Sequence, residues 1–157
     1  MTWLGQVTSQ RPPFKFSAVT RVGFSDTDAQ GIVYYGRYLP YFDLARVEYH
    51  RHLGLLDVDA YDPGHEFVMR ACAIEYHAPA QFDDLLEVFI RIRRIGRTSA
   101  AYECAAYRRD DESLMVTAEQ TLVLVDLSER RPAPIPDRYR QIVVAFEGAD
   151  CELALPA

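Results

Sequence analysis

Between Arg37 and Leu53 the apolar side chains recur at three- and four-residue steps, and this one long stretch constrains the fold more than any other feature. Tyr38, Phe42, Ala45, Tyr49 and His52/Leu53 form the stripe, widened by Leu39, Leu44 and Val47, while Asp43, Arg46 and Arg51 take the opposite side. Such a period describes an amphipathic helix of about seventeen residues. Pro40 has no N–H to donate, so it belongs in a first turn, which starts the helix near Gly36 or Arg37. Gly54 supplies a natural stop.

Around this helix the pattern is extended. Phe14, Phe16, Ala18, Thr20 and Val22 share one parity, with Lys15, Ser17 and Arg21 on the other, which predicts a strand. Four further extended segments follow, at Phe67 to His77, Leu85 to Ile95, Thr98 to Arg108 and Leu114 to Val125. In the second of these, Leu86, Val88, Ile90 and Ile92 oppose Glu87, Arg91 and Arg93. The run Arg109-Asp110-Asp111-Glu112-Ser113 makes a polar hairpin turn between the last two. One helix and about five strands predict an α+β domain, the helix lying against an antiparallel sheet.

A chain of 157 residues suits a single domain, and its 49% hydrophobic content suffices for a full core. The core is expected over about 14–127, with residues 1–13 as a loose arm, Asp57 to Gly64 as a polar loop and 128–157 as a C-terminal extension. That extension carries Pro132, Pro134 and Pro136, then a short helix-like piece from Asp137 to Phe146. No run of eighteen apolar residues offers a membrane span. The first sixteen residues lack the apolar region of a secretory signal, so a cytoplasmic location is expected. Cys72, Cys104 and Cys151 lie far apart, and Cys72 and Cys104 sit in apolar strand patterns that predict buried free thiols. His50, His52, His65 and His77 form no metal-binding pair, so no metal is expected. A net charge of −6 argues against general nucleic-acid affinity.

Chemistry concentrates in Asp26-Thr27-Asp28-Ala29-Gln30-Gly31-Ile32-Val33-Tyr34-Tyr35-Gly36-Arg37-Tyr38. Two carboxylates and a glycine turn stand directly before the helix. A helix N-terminus offers unpaired N–H groups and the positive end of the dipole, which suit a developing oxyanion beside an attacking carboxylate. The same residues also fit ordinary capping, because Asp and Thr accept N–H bonds at turns. Gly31 is the expected site of unusual backbone geometry.

The stretch from Arg21 through Gly54 resembles the signature of the 4-hydroxybenzoyl-CoA thioesterase family, through Phe24, Asp26, Asp28, Gly31, Val33, Tyr34, Tyr38, Phe42, Ala45, Arg46, Glu48, Leu53 and Gly54. Tyr76, Pro79, Phe82, Asp84, Val88, Gly96, Ser99 and Asp126 continue the similarity in order. The resemblance implies a hotdog fold, with the sheet wrapped around the central helix, and hydrolysis of an aryl- or short-chain acyl-CoA thioester to free acid and CoA. It implies Asp28 as nucleophile or general base, a structural Asp26, and the backbone N–H of Tyr35 as oxyanion donor. Related thioesterases of bacterial cell-envelope clusters have histidine where Tyr35 stands and tyrosine where Phe24 stands, so this chain lacks that Tyr-Asp-His set. Elsewhere, at Asp26 to Ala29 and Tyr76 to Ala80, it is similar to that same branch.

On the acyl side, Gly31, Tyr34 and Tyr38 are candidate substrate contacts, although aromatics at a helix start also serve as plain core. On the coenzyme side, Arg94, Arg97, Thr98 and Ser99 belong to an arginine-rich turn suited to phosphate, which equally reads as a solvated strand face. Arg130 and Arg131 are weaker candidates. Coenzyme A enters as part of the substrate, with no other cofactor. The resemblance also implies a homodimer or a dimer of dimers, which would cover an open strand edge. The competing readings are a non-catalytic acyl-CoA or acyl-carrier-protein binding module, a thioesterase for carrier-protein substrates, and a hotdog dehydratase. The dehydratase needs a histidine that the active turn does not have.

Overall fold

The computed structural model describes residues 4–56 and 60–153. Its elements run β1 (Gly5–Val7), β2 (Phe16–Arg21), α1 (Tyr38–Leu53), β3 (His65–Tyr76), β4 (Leu85–Ile95), β5 (Ser99–Arg108), β6 (Leu114–Asp126), β7 (Arg131–Pro132), α2 (Asp137–Glu147) and β8 (Glu152–Leu153). The helix that the period predicts is α1, and its buried face is Tyr38, Tyr41, Phe42, Ala45 and Tyr49. A 3-10 turn over Tyr35–Arg37 leads into it. Gly54, at φ +76°, ends it in the left-handed region that glycine enters without steric cost.

The strands form one sheet in the order β1-β2-β4-β5-β6-β3, with β7 beside β6 and β8 beside β4. Strand β2 runs antiparallel to β4, pairing Ser17 with Phe89 and Ala18 with Val88. The five long strands are those expected; the three short ones, β1, β7 and β8, are additions that the sequence pattern does not reveal. Two or three residues carry too few side chains to set a period. Two compact units make up the chain.

The first unit comprises Met1–Tyr49, Ile74–Ile90 and Cys104–Ala118. Phe16, Ala18, Leu86, Val88 and Met115 are buried there, and Phe16 meets Tyr49 of α1 edge to face at 5.8 Å. Of the segment 1–13 expected as a loose arm, residues 1–3 lie outside the described residues and the rest is instead held. Residues 5–7 pair with β2, and a Cβ on Gly5 would come within 2.4 Å of the Phe16 ring. Arg11 lies 3.6 Å from the centroid of Tyr107, over a cluster of Phe14, Phe89 and Ala105. Cation–π contact and backbone pairing hold this segment, and neither is visible in hydropathy. Ser17, whose parity assigned it to the polar face, is fully buried and donates to Glu87 at 2.7 Å. A buried hydroxyl with a charged partner satisfies the strand without being apolar.

The second unit comprises His50–Ala73, Arg91–Glu103 and Glu119–Ala157. Its interior, with Ile92, Ile95, Leu124 and Val143 buried, includes a polar aromatic chain in which the Tyr102 hydroxyl lies 2.6 Å from Nε2 of His50 and 3.2 Å from the Tyr139 hydroxyl. The helix expected from Asp137 is α2, which buries Tyr139, Val143 and Glu147. Cys151, like Cys104 of the first unit, is buried, but Cys72 is exposed, against expectation. It sits on β3, the last strand of the sheet, where none of the twelve residues is buried. Part of the expected polar loop, residues 57–59, and the last four residues of the C-terminal extension lie outside the described residues. Among the described residues no helix is long and apolar enough to cross a membrane, and no three metal-ligating side chains converge.

Candidate active site

The loop between β2 and α1 folds on its own backbone. Thr27 bridges Val33, the Asp28 N–H donates to the Ile32 carbonyl at 2.9 Å, and the Gly31 N–H donates to the Asp28 carbonyl at 3.0 Å. Gly31 makes this reversal possible at φ +80°. The Val33 N–H then donates to the Ala80 carbonyl at 2.8 Å, tying the loop to the segment after β3.

The two aspartates divide their work. Asp26 accepts from the Gly23 N–H, the Tyr41 hydroxyl and Nε of Arg37 at 2.8–2.9 Å, which is the structural role expected of it. Asp28 does not cap α1. Its Oδ1 accepts the Gln30 N–H at 2.8 Å within the loop, and Oδ2 takes part in none of the hydrogen bonds found among the described residues.

Next comes the 3-10 turn. The Tyr34 N–H donates to the Asp26 carbonyl and the Arg37 N–H to the Tyr34 carbonyl, at 2.9 and 2.8 Å. The N–H of Tyr35, first in that turn, has no acceptor among the described residues. It opens the 3-10 turn that leads into α1, on the side where the helix dipole is positive.

Asp28 and Tyr35 line one cleft of about 350 Å³, shared with Gln30, Ile32, Val33, Tyr38, Tyr76, His77, Ala78 and Pro79. Its walls are mainly apolar with few polar groups, which is the usual make-up of a small-molecule site. Tyr38 is buried, and burial first of all pushes its phenol above the ordinary value, with Tyr76 and Asp84 adding to the effect. Tyr34 is also raised, chiefly by the Tyr35 hydroxyl beside it.

A model of the thioesterase-like superfamily matches residues 22–143, which takes in the loop, α1 and all the long strands after it. The chain belongs to this superfamily. It is 32% identical over 127 residues to the acyl-CoA thioester hydrolase YbgC of Escherichia coli O6:H1, covering 81% of this chain and 92% of that one. It is 33% identical over 133 residues to the acyl-CoA thioesterase YbgC of Haemophilus influenzae, covering 83% and 93%. Among solved structures, a 1,4-dihydroxy-2-naphthoyl-CoA thioesterase from Synechocystis superposes with a TM-score of 0.74 at 21% identity, over 83% of this chain and 96% of that one. A thioesterase-superfamily protein from Jannaschia sp. CCS1 superposes with a TM-score of 0.77 at 24% identity, over 88% and 86%. The fold is therefore the α+β hotdog fold, and this superfamily member is a thioesterase.

In this thioesterase, the expected site residues fall into two groups. Asp28, Tyr35 and Tyr38 meet in the cleft, and Gly31 and Tyr34 lie on the same loop without lining it. Arg94, Arg97, Thr98 and Ser99 belong to the second unit and line no part of that cleft. There the Gly96 N–H donates to the Ser99 carbonyl at 2.7 Å, and Arg140 donates to the carbonyls of Gly96 and Arg97 at 2.7 and 3.2 Å. Arg94 faces Glu152 at 3.8 Å, while Arg97 is exposed. The cleft also contains Gln30 and the run from Tyr76 to Pro79, which sequence reasoning did not assign to the site. Their signal was present, since Tyr76 and Pro79 belong to the family resemblance. His77, read from sequence as unremarkable, lines the cleft and bonds Thr117 through Nε2 at 2.9 Å.

Proposed function

We propose that this thioesterase hydrolyses acyl-CoA esters, with Asp28 as the reacting carboxylate and the Tyr35 N–H as the oxyanion donor. The observation that carries the reading is the shared cleft. Asp28, with a carboxylate oxygen outside the hydrogen bonds found among the described residues, and Tyr35, whose N–H finds no acceptor there, line the same mainly apolar cleft. Acting as nucleophile, Asp28 adds to the thioester carbonyl carbon, the C–S bond breaks with release of CoA thiolate, and water cleaves the resulting anhydride. Acting as general base, it takes a proton from water as the oxygen of that water adds to the carbonyl, and the departing thiolate is then protonated. In both routes negative charge collects on the carbonyl oxygen, where a preoriented N–H stabilises it most.

The turn from Arg94 to Ser99 is the proposed seat of the coenzyme phosphates, supported by the exposed guanidinium of Arg97 and the hydroxyls of Thr98 and Ser99. Acyl-CoA is the proposed partner, with coenzyme A as part of the substrate and no further cofactor, and the proposed location is the cytoplasm. The proposed assembly is a homodimer or a dimer of dimers. Strand β3 supports it, being an edge strand with Val68, Met69 and Tyr76 exposed.

Thiol release measured across aryl, short-chain and long-chain CoA esters tests the activity, with Asp28→Asn as the blank. Hydrolysis of at least one CoA ester, absent from the blank, is the expected result. No thiol release from any CoA ester, with release from a carrier-protein thioester instead, would transfer the reading to acyl-carrier-protein substrates.

A further inference from the structure

The turn that presents the Tyr35 N–H is fixed from outside as well as from within. Tyr35 is flanked by two peptide units. In the one before it, the Tyr34 carbonyl accepts from Arg37 N–H at 2.8 Å, while the N–H of Tyr34 itself is held by Asp26. In the one after it, the Tyr35 carbonyl accepts from the hydroxyl of Tyr76 at 2.8 Å. Peptide units are planar, so anchoring an atom in each of the two units that flank a residue restrains its backbone dihedrals, and with them the swing of the unit that carries its N–H. Only the second anchor is a side chain, and it comes from the end of β3 rather than from the loop. The Tyr76 ring is steadied in turn by an edge-to-face contact with Tyr38 at 5.8 Å, and both rings line the cleft.

We infer that Tyr76 is a positioning residue for thioester hydrolysis, its hydroxyl holding the Tyr35 carbonyl so that the adjoining peptide keeps its N–H toward the substrate carbonyl oxygen as charge develops there. This rests on the reading of Tyr35 as oxyanion donor. An oxyanion donor contributes most when its orientation costs no reorganisation during the reaction. A half-exposed 3-10 turn has poor hydrogen-bond geometry of its own. An external clamp supplies what the turn lacks, and it acts on the transition state more than on bound substrate.

Tyr76→Phe keeps the ring and its contact with Tyr38 and removes only the hydroxyl. Assayed well below the melting temperature beside Asp28→Asn, it is expected to lose kcat about tenfold, the value of one hydrogen bond of about 1.4 kcal/mol, with KM within about twofold. The loss should be the same for a CoA ester and for a short thioester without the nucleotide, because the defect lies at the carbonyl. An unchanged kcat, a loss expressed in KM, or a variant that does not fold would overturn the positioning role while an inactive Asp28→Asn leaves the site reading standing. Turnover by Asp28→Asn would overturn the site reading and the clamp with it.

Discussion

The hydroxyl of Tyr41 donates to Oδ2 of Asp26 at 2.8 Å, joining the fourth residue of the long helix to the loop that precedes the helix. The same carboxylate takes the Gly23 N–H and Nε of Arg37, so one side chain ties both flanks of the active loop together. Burial by itself would raise the Asp26 pKa, but the bonds from Gly23, Tyr41 and Arg37 outweigh it and hold the carboxyl below its ordinary value. The tyrosine responds in the opposite sense, raised by burial and by the adjacent carboxylate.

This arrangement sets a pH dependence. A carboxyl with a depressed folded pKa stabilises the protein fully above its unfolded value, near 3.8, and loses that contribution as pH falls through the folded value. Asp26→Asn is therefore expected to lower stability by about 1–3 kcal/mol at pH 7. Thermal melts of the two proteins should converge as pH drops below the ordinary carboxylate range. An equal gap at neutral and at acid pH would show that the charge is not what stabilises the loop.

Asp28→Asn should separate cleanly from that result. Removal of the reacting carboxylate is expected to reduce kcat roughly a hundredfold or more, with the melting temperature nearly unchanged. Steady-state kinetics and a melt on one preparation decide the matter. Near-normal turnover would sink the assignment, and equal kinetic losses at positions 26 and 28 would erase the distinction between them.

Arg97→Ala tests the coenzyme side. It should raise KM for CoA esters about fivefold, the equivalent of about 1 kcal/mol for one exposed charge, and leave short thioesters lacking the nucleotide almost untouched. Because the contact is exposed, the difference should shrink at high salt. Equal effects on both substrates would remove the phosphate role.

The exposed edge strand gives the fourth test. Light scattering at low micromolar concentration should report a dimer or a tetramer, and Val68→Lys should shift it toward monomer by placing a charge on an apolar patch of β3. A wild-type monomer with full activity would refute assembly through this edge.

The sequence by itself determined the long helix, its start after Gly36 and its stop at Gly54, because a 3.6-residue period over four turns admits no other regular structure. It marked the five longer strands as extended segments, six residues in β2 and ten or more in the other four. It also singled out the loop from Asp26 to Gly36, where Asp, Gly and a helix start coincide. What it did not contain was the meeting of that loop with the end of β3. Tyr35 and Tyr76 are 41 residues apart and touch only because Val33 pairs with Ala80 and β3 ends beside the helix start. The docking of residues 5–7 on β2, the burial of Ser17 against Glu87 and the exposure of Cys72 were likewise decided by tertiary structure. Periodicity reports which face a residue points to, whereas strand order decides what that face meets, and only the folded sheet makes β3 an edge.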